Sequence, residues 1–209
     1  IGGGYSGIIA VGERAFTQVQ TLAGQYVVCL EIRTGREIWR TRTGWPWQPD
    51  GAWPGPYASP TYASGRVFYA DCFGSVGCLS AKTGRQIWSV DISRDLGAGI
   101  PGFGYAITPL VYDSKVFIEA IGANSSVIAL HADSGKLAWR TGNMPASYSP
   151  PILLHVSGHA QVVTFLENIA LSLSMRASGT LTVPRCTSPP KPLGTLRPVS
   201  VLKTVVFPD

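Results

Sequence analysis

One phrase of 14 residues occurs three times in this chain at intervals of about fifty residues, and this repetition limits the folds that the chain can adopt. The copies read VVCLEIRTGREIWR from Val27, VGCLSAKTGRQIWS from Val76 and VIALHADSGKLAWR from Val127. In each copy Thr or Ser precedes a Gly, and a Trp stands four positions after that Gly. Because a fixed period of about 20–50 residues is typical of solenoids, propellers and arrays, the sequence predicts a repeat scaffold.

The residues around the phrase predict four short strands in each repeat. Runs rich in Val, Ile, Tyr and Phe alternate with Gly, Ser, Asn and Asp, which is typical of strands joined by turns. In the second repeat the strands are predicted at 57–63, 66–72, 76–81 and 85–91. Four antiparallel strands per unit is the pattern of a β-propeller blade, so the predicted fold class is an all-β propeller.

The chain divides into blades over residues 1–183 and a tail over 184–209. The predicted blades cover about 5–44, 57–93, 105–142 and 148–183. The last blade is incomplete, because Val183 stands where a Trp is due, and the tail holds six Pro without clear alternation. Either the protein ends in an extended tail, or the reading frame slips near Asn168. A Thr-Gly followed by a Trp in another forward frame of the gene would support the slip.

The Gly and Trp of the phrase are predicted to hold neighbouring blades together. The Gly makes a tight turn between the third and fourth strands, where it tolerates a positive φ. The Trp lies on the outer strand, where its ring can pack on the next blade and its N–H can reach a backbone carbonyl. These structural roles are assigned to Gly35, Gly84 and Gly135 and to Trp39, Trp88 and Trp139.

Charge and hydropathy argue against a nucleic-acid partner and against a membrane-spanning segment. The net charge of +5 includes a local +3 in residues 184–209, and no nucleic-acid-binding motif accompanies it, so we expect no nucleic-acid partner. No run approaches the roughly 20 apolar residues that a membrane span needs.

Two long connections between blades are the candidate ligand-binding segments. The first holds Trp45, Trp47 and Trp53, and the second holds Arg94. In a four-stranded antiparallel blade both lie on the face opposite the Thr-Gly turns. Long loops often carry function, so the three Trp could line a surface for an aromatic cofactor, a sugar or a peptide. The alternative is a loop that folds onto the rim and hides its own rings.

Catalytic and metal-binding residues are not evident. Asp71, Asp113 and Glu119 are expected to be solvated at strand ends or turns, so none is assigned as a base. His155 and His159 are expected to lie in a surface hairpin without other ligands, so no metal site is predicted.

The four Cys have mostly structural interpretations. Cys29 and Cys78 share one repeat position and are expected to be small core residues. A disulfide between Cys72 and Cys78 is an alternative in an oxidising compartment. Cys186 lies in the tail.

The phrase resembles the repeat of the pyrroloquinoline quinone (PQQ) type propellers, Ala-x-Asp-x-x-Thr-Gly-x-x-x-Trp. The resemblance covers about residues 5–166, although Glu31, Ser80 and His131 stand where that repeat favours Asp. It implies a ring of six to eight blades, of which this chain would supply about three intact blades and one incomplete blade. A fragment of this kind would expose open blade edges, through which it could self-associate.

The resemblance implies two functions, and the loops add a third. The main expectation is a binding or assembly scaffold in a periplasmic or otherwise exported setting, with a protein, carbohydrate or other small-molecule partner and no certain cofactor. The alternative is part of a quinoprotein alcohol or sugar dehydrogenase that uses PQQ with calcium. Many such enzymes carry a disulfide between adjacent Cys, and this chain has no adjacent pair. The third is a carbohydrate- or peptide-binding propeller that uses the Trp-rich loop.

Overall fold

Four antiparallel sheets of four strands each make up the fold. The computed structural model describes residues 2–49, 53–156, 159–166, 169–175 and 181–182. In every sheet the order of hydrogen-bonded strands follows the order of the chain. This arrangement confirms the prediction of an all-β protein built from four-stranded propeller blades. We number the sheets as blades 1 to 4.

The strands are short and succeed one another through hairpins. Blade 1 contains β1 (Ile9–Val11), β2 (Arg14–Thr21), β3 (Gly24–Glu31) and β4 (Glu37–Gly44). Blade 2 contains β5 (Thr61–Ala63), β6 (Arg66–Ala70), β7 (Ser75–Ser80) and β8 (Gln86–Asp91). Blade 3 contains β9 (Leu110–Tyr112), β10 (Lys115–Glu119), β11 (Val127–His131) and β12 (Leu137–Thr141). Blade 4 contains β13 (Ile152–Val156), β14 (His159–Leu166), β15 (Ile169–Met175) and β16 (Leu181–Thr182).

The first strand of blade 2 is shorter than the sequence predicts. It begins at Thr61 rather than near residue 57. Pro60 precedes it and cannot donate a ladder hydrogen bond. The preceding segment contacts both neighbouring blades instead, because the Ser59 N–H donates to Thr108 Oγ1 at 3.1 Å and Ser59 Oγ accepts from the Gly7 N–H at 2.7 Å.

Neighbouring blades pack face to face through alternating strand residues. Phe68 and Cys78 of blade 2 share a buried cluster with Val116, Ile128 and Leu130 of blade 3. Corresponding clusters join blade 1 to blade 2 and blade 3 to blade 4. Since each blade has one face toward each neighbour, both faces of the middle strands are apolar, as the sequence runs indicate.

The Trp of one blade contacts the Thr-Gly or Ser-Gly turn of the next. Trp39 Nε1 donates to the Ala81 carbonyl at 3.2 Å, and Trp88 Nε1 donates to the Ala132 carbonyl at 3.0 Å. The two rings lie against Gly84 and Gly135, respectively. The turn that corresponds to these for Trp139 falls in residues 176–180, outside the described residues.

The turn glycines provide a matched test of this contact. Gly35 and Gly135 have nearly the same φ, +70° and +71°, but a Cβ on Gly135 would lie 2.5 Å from Trp88 Cε3, whereas one on Gly35 would meet nothing within 4 Å. We expect Gly35→Ala to cost about 1–2 kcal/mol for the left-handed backbone alone. Gly135→Ala should cost a further 1–3 kcal/mol or so from overpacking. Urea unfolding of both variants measures the difference, and equal costs would contradict the contact.

The two ends of the blades carry different connecting segments, and we name them the loop face and the turn face. The loop face comprises the described parts of the connections between blades (45–49, 53–60, 92–109 and 142–151) together with the hairpins around 22–23, 71–74 and 120–126. The turn face comprises the first hairpins of blades 1 to 3 and the turns at Gly35, Gly84 and Gly135. The long connections and the turns therefore lie on opposite faces, because successive strands run antiparallel.

The alternative of a Cys72–Cys78 disulfide is wrong, because Cys29, Cys72 and Cys78 are all free and buried. Cys78 packs in the blade 2–3 cluster, while Cys72 Sγ lies 3.3 Å from the Gly55 carbonyl. Burial raises the pKa of the Cys72 thiol to about 12 and that of Cys78 to about 11. Both thiols therefore stay protonated and unreactive at neutral pH.

Blade 4 keeps the strand order although its sequence departs from the repeat. β15 pairs with β14 over seven residues, from Ile169 to Met175. The predictions for Val183 and for the tail at 184–209 lie outside the described residues. Among the described residues, no helix is long and apolar enough to cross a membrane.

Candidate functional site

The Trp-rich loop is anchored to blade 1 by two glutamine side chains. Gln20, near the end of β2, accepts from the Trp47 N–H at 2.6 Å and donates to the Trp47 carbonyl at 3.1 Å. Gln25, near the start of β3, donates to the Trp45 carbonyl at 2.8 Å and accepts from the Cys72 N–H at 3.3 Å. Both glutamines are buried, at 8% and 0% exposure. The backbone of the loop is therefore held in place at Trp45 and Trp47.

The three loop tryptophans have different environments. Trp45 and Trp53 are 71% and 72% exposed, whereas Trp47 is half-buried and meets the Phe73 ring edge-on at 5.0 Å. The guanidinium of Arg42 lies 4.6 Å from the centre of the Trp45 ring, in a cation–π contact. The alternative of a loop that hides its own rings therefore holds for Trp47 alone of the three, because the Trp45 and Trp53 rings face solvent.

Arg94 lies apart from this loop. It belongs to α1 (Ile92–Leu96), a short helix in a segment that the sequence predicts to be a loop. Asp91 caps the helix by accepting from the Ser93 and Arg94 N–H groups at 3.1 and 2.9 Å. Arg94 pairs with Asp95 at 2.8 Å and is not linked to a loop tryptophan by any hydrogen bond or ring contact in the described part of the chain.

A set of tyrosines that the sequence analysis did not assign to a site extends the aromatic surface. Tyr5, Tyr57 and Tyr148 precede the first strands of their blades at equivalent repeat positions, as Tyr105 does in blade 3. Tyr5 stacks on Tyr57 at 5.5 Å, and the Tyr57 hydroxyl donates to the Trp53 carbonyl. Burial, and secondarily the nearby Cys72, Tyr5 and Tyr148, raise the pKa of Tyr57.

Phe103 joins this surface from the second connection between blades. Its ring meets that of Tyr148 at 5.6 Å, and its N–H donates to the Tyr148 hydroxyl at 3.1 Å. Phe103, Tyr148 and Tyr5 are 53%, 44% and 54% exposed. We call Tyr5, Trp53, Tyr57, Phe103 and Tyr148 the aromatic patch, and Trp45 is a further exposed ring on the loop face. The repeated Tyr in the sequence was the signal that could have identified it.

The expectation that Asp71 and Glu119 are solvated is wrong. Asp71 is 2% exposed, and its Oδ1 accepts from the Phe73 and Ser75 N–H groups at 2.9 and 2.8 Å. Its Oδ2 occupies the space where a side chain at residue 44 would begin, so Gly44 has room for hydrogen alone. Burial raises the pKa of Asp71 to about 7 against the opposing effect of these hydrogen bonds. Asp113, by contrast, is exposed as expected.

Glu119 is a second buried carboxyl, at the junction of blades 3 and 4. It is 0% exposed, and Ser147 Oγ lies 3.5 Å from its Oε2. Its Oε1 and the buried Thr164 Oγ1 have no hydrogen-bond partner among the described residues. Burial raises the pKa of Glu119 to about 8, so it is mainly protonated at neutral pH.

The side chains that most often bind metal ions do not cluster in the described part of the chain. Among the described residues, no three His, Cys, Asp or Glu side chains lie close enough together to ligate a metal ion. His155 and His159 lie on the two strands of the β13–β14 hairpin, and His155 packs edge-on against Tyr112 instead.

A family model matches most of the chain. The model described as "Outer membrane protein assembly factor BamB" matches residues 23–182, which include blades 2 to 4 and the last two strands of blade 1. The match covers all three copies of the Trp phrase.

Curated relatives fall into two groups. The chain is 30% identical over 95 residues to the outer membrane protein assembly factor BamB of Burkholderia pseudomallei, covering 46% of this chain and 22% of that protein. It is 30% identical over 139 residues to the quinohemoprotein alcohol dehydrogenase ADH IIB of Pseudomonas putida, covering 60% of this chain and 18% of that enzyme. The matched part thus spans about a fifth of these relatives.

Solved structures show the same fold. BamB from Moraxella catarrhalis superposes with a TM-score of 0.56 at 17% identity, covering 85% of this chain and 51% of that one. The quinohemoprotein alcohol dehydrogenase from Comamonas testosteroni superposes with a TM-score of 0.58 at 13% identity, covering 88% of this chain and 40% of that one. At this identity the likeness concerns the fold alone.

Proposed function

The chain belongs to the family of the outer membrane protein assembly factor BamB, and from this membership we propose that it is part of a propeller scaffold that binds a protein partner through its loop face. The observation that carries the proposal is the aromatic patch on an anchored backbone. Exposed aromatic rings on a pre-ordered surface are typical of protein-binding sites, because they bury much area and lose little conformational entropy.

The BamB relatives support a setting and a partner class. They are named for outer membrane protein assembly, so we propose an exported compartment for this chain and a partner among the proteins of that process. The free thiols are compatible with this setting, because they are buried and protonated.

Site-specific photocrosslinking in the producing cells tests the proposal. A photoreactive residue at Trp53 or Tyr148 should capture the same protein, while one at Lys82 on the turn face should not. The double variant Trp45→Ala/Trp53→Ala should weaken that complex at least tenfold and leave the melting temperature unchanged, because both side chains are more than two-thirds exposed. Equal capture from both faces would contradict the proposal.

The dehydrogenase relatives support a second candidate, part of a quinoprotein alcohol or sugar dehydrogenase. A titration with PQQ and calcium, followed by Trp fluorescence and quinone absorbance, separates the two. Saturable binding, followed by turnover of an alcohol with an artificial electron acceptor, would favour the enzyme. A carbohydrate-binding propeller would instead respond to sugars through Trp45 and Trp53 and not to PQQ.

A further inference from the structure

A cleft on the turn face lies opposite the aromatic patch and is separate from the function proposed above. It opens between blades 2 and 3 and has a volume of ≈ 450 Å³. Ala63 and Val111 supply partly exposed apolar walls next to the buried Phe68 ring, while Arg66, Asp113, His131 and Asp133 contribute polar groups. Ligand pockets of about 300–1,000 Å³ that combine apolar walls with a few polar groups are typical of small-molecule sites.

Opposite charges line this cleft without neutralising each other. Arg66 Nη1 donates to the Ala132 carbonyl at 3.1 Å, which fixes one arm of the guanidinium. In the described part of the chain, no ion pair involves Arg66 or Asp133. Asp113 is engaged by Lys115 at 3.1 Å. A cation and an anion thus remain available to a ligand in the same cleft.

The corresponding cleft between blades 1 and 2 has the same framework and a different charge. It is smaller, at ≈ 220 Å³, and is lined by Arg14, Phe16 and Lys82. Arg14 Nη1 donates to the Ala81 and Lys82 carbonyls at 2.7 and 2.9 Å, as Arg66 does to Ala132. Lys82 holds the repeat position of Asp133. The cleft between blades 1 and 2 therefore carries two cations, Arg14 and Lys82, whereas the cleft between blades 2 and 3 carries the cation of Arg66 and the anion of Asp133.

We propose that the cleft between blades 2 and 3 binds a small zwitterion with an apolar side chain, that is, a free amino acid or a dipeptide. The ligand's ammonium group pairs with Asp133, and its carboxylate pairs with the free arm of Arg66. Its side chain packs against Ala63 and Val111. The cleft between blades 1 and 2 does not bind this ligand, because Lys82 repels the ammonium group.

Calorimetric titration with the dipeptide Leu-Leu tests the site, and amide NMR shifts locate it. We expect saturable binding with shifts at 111–114 and 131–133. N-acetylation or C-terminal amidation of the dipeptide should each weaken binding at least tenfold. Asp133→Lys, which copies the charge of Lys82, and the milder Asp133→Asn should do the same, whereas Lys82→Ala should change it less than twofold.

Three outcomes would overturn the proposal. The first is no saturable binding up to millimolar Leu-Leu, and the second is binding that survives both Asp133 variants. The third is equal binding of the acetylated or amidated peptide, which would show that one charge suffices. None of these bears on the aromatic patch, because the patch lies on the other face.

Discussion

Trp88→Ala should lower the free energy of unfolding by about 3–5 kcal/mol, as expected for removing a large buried aromatic side chain. The ring is 8% exposed, packs near Phe68 and lies against Gly135 of the next blade. Its Nε1 donates to Ala132, so the variant loses both apolar contact and a hydrogen bond. Urea unfolding measures the loss, and the melting temperature should fall by about 2–4 °C for each kcal/mol.

A matched control comes from the same chain. Trp53→Ala removes a ring that is 72% exposed, and its effect should stay within about 0.5 kcal/mol. Trp88→Phe keeps an aromatic ring but loses the N–H, and should fall between the two. If Trp88→Ala and Trp53→Ala cost the same, the ring does not join the blades.

Stability should decrease as pH rises from about 5 to 8, because of buried Glu119. The pKa of this carboxyl rises from 4.5 to about 8 on folding, mainly by burial. Between these values the folded chain holds a proton that the unfolded chain releases. The contribution of this bound proton to the free energy of unfolding is therefore complete below pH 4.5 and is lost as the pH passes about 8. Glu119 alone contributes at most about 1.4 kcal/mol per pH unit to the slope of the free energy of unfolding against pH.

Asp71 also makes the folded chain less stable as the pH rises, since its pKa rises from 3.8 to about 7 on folding. The exposed acids Glu37 and Asp95 act in the opposite direction, because Arg40 and Arg94 lower their pKa values. They are ionised in both states above pH 5, so they do not affect this window.

Glu119→Gln isolates the effect in urea unfolding from pH 5 to 8. The amide keeps the shape of the side chain and cannot ionise. The slope of the free energy of unfolding against pH should therefore become shallower by up to about 1.4 kcal/mol per pH unit. An unchanged slope would show that Glu119 ionises in the folded chain as it does in the unfolded one.

The repeat was sufficient to predict the architecture and the order of its parts. Trp39 and Trp88 contact the next blade because a fixed spacing from a Gly turn places each at the same point of an outer strand. The limits of β5 were less predictable, because the Ser59 N–H and the Thr108 hydroxyl link segments that are 49 residues apart.

The candidate site was predicted in part. The Trp-rich loop was recognised from its composition, but which rings are exposed depends on Gln20, Gln25 and Phe73, which lie in other hairpins. The aromatic patch also needs Phe103 and Tyr148 from different connections. Such a surface forms only when the blades stack.

The sequence by itself determined the blade fold, the Gly turns and the positions of the Trp, because these depend on local geometry repeated at a fixed period. The tertiary structure alone decided that Asp71 and Glu119 are buried and that Cys72 is unpaired. It also decided that Arg66 and Asp133, 67 residues apart in the chain, line the same cleft. The physical reason is that burial, and with it the pKa of a carboxyl, is set by the neighbouring blade, whose contacts no local pattern encodes.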